Sequence, residues 1–154
     1  MQIRRAGPDD VEAIVDVYLA SRDAAPMPAG VHPRAEVVEH TRRVLPDREV
    51  WLAIDDERVV GLVLLQCSDL NWLFVHPDAQ GRGVGSDLLD HAKAQRPDGL
   101  ALWVFEMNTP AQHFYEARGF VEVRRTHGDN EEGAPDIRYA WGSHPEGPMS
   151  PGPS

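Results

Sequence analysis

Residues 70–94 read LNWLFVHPDAQGRGVGSDLLDHAKA, and this stretch decides how the rest of the chain is understood. Leu70, Trp72, Leu73, Phe74 and Val75 form a short apolar run of aromatic and β-branched types, the composition of a strand. Pro77 ends it, because proline has no N–H to give to a ladder. Further on, Val84, Leu88, Leu89 and Ala92 recur at helical spacing on one face, with Asp87 and Asp90 off that face. Between strand and helix lies Gln80-Gly81-Arg82-Gly83-Val84-Gly85. Glycines let a backbone come close to a ligand. A helix beginning there turns unpaired N–H groups and the positive end of its dipole toward the loop. Together these make a phosphate-binding site, to which Arg82 would add a charge-assisted contact. The plain alternative is a tight turn with surface glycines.

Two common phosphate loops are excluded. No Gly-Lys-Ser/Thr follows the glycines, so this is not a P-loop. Counted from Gly81 the third glycine of a dinucleotide fingerprint falls on Ser86, and from Gly83 on Leu88. The stretch resembles instead the acyl-CoA pyrophosphate loop of the GNAT N-acetyltransferase superfamily, Gln/Arg-x-x-Gly-x-Gly/Ala. Gln80, Gly83 and Gly85 occupy its defined positions, and the strand ending Val75-His76-Pro77 before the loop also matches.

The bulk properties are compatible. A chain of 154 residues with 42% hydrophobic and 26% charged residues can build one ordinary globular core. No run approaches a membrane span, and MQIRRAGPDD has no apolar signal core, so a cytoplasmic protein is expected. The single cysteine, Cys67, forms no internal disulfide and suits a reducing compartment; it reads as a buried, inert thiol at the end of an apolar run. A net charge of −10 argues against nucleic acid and favours, weakly, a cationic ligand.

In chain order, residues 2–5 suit a short strand, and Pro8-Asp9-Asp10 starts a helix running to about Arg22 with Val11, Ile14, Val15 and Tyr18 inward. Residues 24–33 form a loop. A second helix spans about 34–44, with Val37, Val38, Thr41 and Val44 inward. Residues 50–54 and 59–65 read as a hairpin with Gly61 marking a bulge or close approach, and the organising strand completes a meander. After the glycine-loop helix, residues 100–105 form a strand parallel to the organising one. Asn108-Thr109-Pro110 opens another helix, with Thr109 as N-cap, that Gly119 ends. Residues 120–125 and 136–141 are two more strands joined by an acidic loop. Residues 142–154 hold seven prolines and glycines in 13 positions and read as a disordered tail, leaving residues 1–141 as a single domain.

This order, β-α-α-β-β-β-α-β-α-β-β, is that of the GNAT fold, an α/β architecture with a central twisted mixed sheet and helices on both faces. A second GNAT motif, Asn-x-x-Ala-x-x-Phe-Tyr-x-x-x-Gly-Phe, is met by Asn108, Ala111, Phe114, Tyr115, Gly119 and Phe120. The resemblance covers residues 2–141. It implies an acetyl-CoA-dependent N-acetyltransferase that needs no metal and works by direct attack of an amine in a ternary complex. It implies that N–H groups of the segment Gly81, Arg82, Gly83, Val84, Gly85 and Ser86 hold the pyrophosphate. Pantetheine would lie between the two parallel strands, pairing with backbone groups of Leu73 and Val75. A free N–H near Phe74 would polarise the carbonyl, and Asn108 would tie the cofactor or the splayed strand.

Tyr115 is the expected general acid. Its reference pKa near 10 lies above that of a thiol, so it stays protonated until a thiolate leaves. For the general base, Asp69 and Glu106 remain rivals, either of which is otherwise a surface charge. Acceptor specificity is expected from the 24–33 loop, the second helix and the 126–136 loop, where Asp129, Glu131, Glu132 and Asp136 suit a cationic amine. Trp51, Trp72 and Trp103 suit either core or pocket. The leading acceptor is the primary amine of a small molecule. The alternatives are a protein N-terminus or lysine, and a binding module that senses acyl-CoA without turnover. A monomer and a homodimer fit equally.

Overall fold

The computed structural model describes residues 1–26, 32–128 and 130–146. Its elements are β1 (Gln2–Arg5), α1 (Val11–Ala24), α2 (Arg34–Val44), β2 (Glu49–Asp55), β3 (Arg58–Gln66), β4 (Asp69–Val75), α3 (Val84–Gln95), β5 (Leu100–Phe105), α4 (Thr109–Glu116), β6 (Val121–Thr126) and β7 (Asp136–Trp141). The order is the expected one. Helix α1 runs two residues past Arg22, since no breaker intervenes before Pro26.

The seven strands form one mixed sheet in the order β1-β2-β3-β4-β5-β7-β6. Strands β2, β3 and β4 are an antiparallel meander. Asp56 and Glu57 turn the first hairpin with φ of 52° and 63°, the doubly positive geometry that matches the twist of the strands. Among the described residues only β4 and β5 run parallel, as a crossover through α3 requires. Strand β7 inserts between β5 and β6, antiparallel to both.

Strand β3 shows why helices cover both faces. Val63 and Leu65 pack with Val84, Leu88, Leu89 and Ala92 of α3, while Leu62 and Leu64 pack with Val11, Ile14 and Val15 of α1. The two-residue period thus feeds two cores from one strand. At Gly61 a Cβ would stand 3.0 Å from Leu88 and from Val84, a tight contact that would make these side chains of α3 give way by a few tenths of an ångström. The expected bulge is present too, as a register shift at Ala53/Ile54.

Residues 142–146 fold back onto the sheet: His144 is buried, and Glu146 pairs with Arg138 of β7 at 2.7 Å. Of the expected tail, residues 147–154 lie outside the described residues. Among the described residues no helix is long and apolar enough to cross a membrane.

Candidate active site

Strands β4 and β5 share one paired position, Asp69 with Ala101, flanked by the bond from the Ala101 N–H to the Ser68 carbonyl (3.0 Å). Beyond it they diverge, and a cleft of about 1400 Å³ opens with residues 70–75 on one side and 102–105 on the other. A bulge contributes. Leu64 pairs with Trp72 and Leu65 with Leu70, so Asn71 is passed over and β4 bends away from its neighbour.

The ladder decides which backbone groups face the cleft. The His76 N–H bonds the Val60 carbonyl at 2.8 Å, and Phe74 stands opposite Leu62 in the same register. Alternation then turns the Phe74 N–H to β3 and leaves Leu73 and Val75 facing β5. The Phe74 N–H is therefore spent on the sheet, and the free N–H expected near Phe74 falls to its neighbours Leu73 and Val75. The ring of Phe74 still lines the cleft.

At one end of the cleft lies the glycine loop. Gly81 and Gly83 have φ of 80° and 82°, the left-handed region, and no atom lies within 4 Å of where a Cβ would stand on either. Helix α3 begins immediately after, at Val84, so the N–H groups of its first turn have no acceptor within the helix. The Gln80 side chain donates to the Val75 carbonyl at 3.2 Å and ties the loop to β4. Gln80, Gly81, Gly83, Val84, Gly85 and Ser86 all line the cleft. Arg82 does not: its guanidinium turns away toward Asp55, 3.5 Å off. The charge-assisted contact expected from Arg82 is thus not prepared here, because a carboxylate on the β2–β3 side has captured the cation.

Helix α4 supplies the next wall. Asn108 is its N-cap, accepting from the Ala111 N–H at 3.3 Å, so Thr109 is the first helical residue rather than the cap. Gln112 donates to the carbonyls of Phe105 (3.2 Å) and Glu106 (2.7 Å), fixing α4 to the end of β5. Tyr115 is 7% exposed, wedged edge-on between Phe114 and Phe120 with ring centroids 5.2 and 5.4 Å away. It lines the cleft, and among the described residues its hydroxyl has no hydrogen-bond partner. Burial pushes its phenol well above the ordinary tyrosine range.

Comparison with known proteins agrees with this geometry. The model of the GNAT acetyltransferase domain family matches residues 46–122. A peptidyl-lysine N-acetyltransferase, YjaB of Salmonella typhimurium, is 34% identical over 131 residues, which are 84% of this chain and 90% of that protein. The chain belongs to the GNAT superfamily of N-acetyltransferases. It is an acyltransferase. The Escherichia coli peptidyl-lysine N-acetyltransferase YjaB is 32% identical over 84% of this chain and 88% of that protein. The solution structure of apo YjaB from Escherichia coli superposes with a TM-score of 0.75 at 30% identity, covering 91% of this chain and 96% of that one.

At the other end of this GNAT cleft the three expected acceptor segments meet: the end of α1 with Ala24, Ala25 and His32; α2 with Glu36, Glu39 and His40; and Glu131 and Glu132 before β7. Tyr18 stacks on Trp72 (5.4 Å) and meets Phe74 edge-on (5.0 Å), making an aromatic floor. His32 bridges two segments, with Nδ1 2.8 Å from Glu36 and Nε2 bonded to Glu131. Glu36 first, then Glu131, raises its imidazole above the ordinary histidine value. Asp136 instead turns inward onto Thr126 and Asn130, and Asp129 lies outside the described residues.

Neither candidate base reaches the cleft. Asp69 stands at the closed end of β4, held at 2.8 Å by the buried Arg138. Glu106 is exposed and lies 3.6 Å from Arg125. Trp72 and Trp103 line the cleft, whereas Trp51 packs on His91 and bonds Glu49. Among the described residues no group of His, Cys, Asp and Glu is placed to hold a metal ion. Tyr18 and Arg118 line the cleft without a sequence signal for it. Tyr18 sits on the inward face of α1, where its spacing reads as core. Arg118 falls on an unconstrained position of the second motif, although it follows Phe114 by one helical turn.

Proposed function

We propose that this cytoplasmic GNAT enzyme acetylates the side-chain amine of peptidyl lysine, using acetyl-CoA in a ternary complex. The observation that carries the transferase reading is the divergence of β4 from β5 beyond a single pair, with the unpartnered Tyr115 hydroxyl on the cleft wall. Leu73 and Val75 offer backbone groups to an extended ligand laid between the strands, as an added strand would use them. The open space over Gly81 and Gly83, with the first turn of α3 behind it, suits a pyrophosphate.

In the reaction the neutral amine nitrogen bonds the thioester carbonyl carbon, the C–S bond breaks, and the amine proton is lost to water. Tyr115 gives its proton to the departing thiolate and recovers one from the water that took the amine's, and burial keeps the phenol protonated between turnovers. With both carboxylates outside the cleft, the extra proton that a lysine ammonium carries near neutral pH goes to water before attack, and the neutral fraction reacts.

The lysine assignment is supported by the names of the two YjaB relatives, and by the open, acidic mouth formed by Glu36, Glu131 and Glu132. A small cationic amine would meet the same acids. The test is CoA release from acetyl-CoA with lysine peptides, and separately with pooled amino acids, polyamines and aminoglycosides, subtracting the thiol of Cys67, which is exposed in the turn after β3 rather than buried as expected. Acetyl-lysine found by mass spectrometry in the peptides is expected. Turnover confined to a small-amine pool would replace the acceptor. Tight acetyl-CoA binding without turnover in any pool would favour a sensor. Tyr115→Phe should lower kcat roughly a hundredfold, the scale of general acid catalysis.

A further inference from the structure

The glycine loop carries N–H groups but no cation aimed into the cleft, since Arg82 is held by Asp55. Another arginine takes that place. Arg118, two residues past α4, lines the cleft beside the loop. Its Nε and Nη2 both donate to the Ser86 hydroxyl (3.1 and 2.6 Å), and its Nη1 donates to the Phe114 carbonyl (2.9 Å). The guanidinium carbon sits over the Phe114 ring, 3.9 Å from its centroid.

Every one of these acceptors is neutral. Among the described residues no carboxylate pairs with Arg118. By contrast Arg4, Arg34, Arg58, Arg96 and Arg138 each stand within 4 Å of an acid. Ser86 is the third residue of α3, so Arg118 is locked against the turn whose free N–H groups point at the loop. A half-buried, rigidly stacked and uncompensated cation at that point costs stability unless an anion completes it.

We infer that Arg118 is the phosphate-recognising residue of the donor site, binding a phosphate group of acetyl-CoA next to Ser86 and the first turn of α3. This rests on the acetyl-CoA reading above. The stacking on Phe114, whose ring also meets the Gly85 position at 3.4 Å, keeps the guanidinium pre-positioned, so little side-chain freedom is lost on binding. The phosphate is either the pyrophosphate or the 3′-phosphate, which share this chemistry.

The test is calorimetric binding of acetyl-CoA, acetyl-3′-dephospho-CoA and acetyl-pantetheine to wild type, Arg118→Gln and Arg118→Lys. Arg118→Gln should weaken acetyl-CoA at least about tenfold, the lower range for a charged hydrogen bond, with kcat at saturating donor little changed. If the penalty vanishes with the dephospho donor, Arg118 reads the 3′-phosphate. If it persists there and vanishes with acetyl-pantetheine, it reads the pyrophosphate. Arg118→Lys should retain part of the affinity. Binding of acetyl-CoA within twofold of wild type, or a penalty that persists with acetyl-pantetheine, would overturn the inference. Should the variants not fold, the Nε–H resonance of Arg118 in the wild type should shift on adding CoA and stay put on adding pantetheine; an unmoved signal with CoA bound would overturn it equally. A wild type that binds no acetyl-CoA would sink the donor reading itself, which is a different failure.

Discussion

The two ends of the cleft are built from different materials. The glycine-loop end is mainly backbone, to which the Arg118 side chain is added: two left-handed glycines, the first turn of α3, and the inward amides of β4. The far end is side chains, brought by three segments that lie far apart in the chain and are joined by ion pairs, the exposed His32 with Glu36 and the mostly covered Arg22 with Glu132. A backbone site has few ways to change and keeps one ligand. A side-chain site can be rewritten residue by residue while the sheet beneath it stays the same.

The difference can be broken most forcefully at Gly83. A Gly83→Val substitution puts a β-branched residue at φ of 82° and a side chain into the open cradle. Acetyl-CoA affinity should fall more than about tenfold by calorimetry, a cost on the scale of left-handed strain plus lost amide contacts. An unchanged affinity would mean that phosphate is held elsewhere.

Asp69 tests the boundary of the site. As the ion-pair partner of buried Arg138, it should act on stability: Asp69→Asn should cost about 1 kcal/mol in denaturant unfolding, discounted because the carboxylate is partly exposed, and leave kcat within about threefold. A hundredfold loss of kcat with intact stability would restore it as the base.

At the side-chain end the effects should be milder. Glu131→Gln with Glu132→Gln should raise the acceptor KM about threefold to tenfold, as expected for partly exposed charges, and leave acetyl-CoA binding unchanged. The smallest effect belongs to His32. Its pKa is raised by Glu36 and Glu131, so the bridge contributes fully below the ordinary histidine range and is lost as pH rises through the raised value. The acceptor KM should drift by less than about twofold across that window, and His32→Asn should flatten the drift.

The same contrast explains what could be read without coordinates. Element order was legible because period-two runs such as residues 59–65 and the helical face of Val84, Leu88, Leu89 and Ala92 each fix a local structure. The glycine loop and Tyr115 were legible because backbone geometry and a buried phenol demand particular residue types. Register was not. The passed-over Asn71 and the turn of the Phe74 N–H toward β3 depend on pairing with a neighbour, which local composition does not encode. Nor was the fate of the charges: Arg82 and Asp69 stand at motif-like positions, but Asp55 and Arg138, far away in sequence, claim them.

The single pair between Asp69 and Ala101 leaves the seven-stranded sheet with a seam. Strands β1 to β4 form one hydrogen-bonded plate and β5, β7 and β6 another, hinged at that pair and backed by α3. A ligand lying in the seam would rivet the plates together, so substrate supply and mechanical integrity become one quantity. Amide exchange at Leu73 and Val75 should slow on donor binding, and the melting temperature should climb with donor concentration well past saturation, as mass action requires.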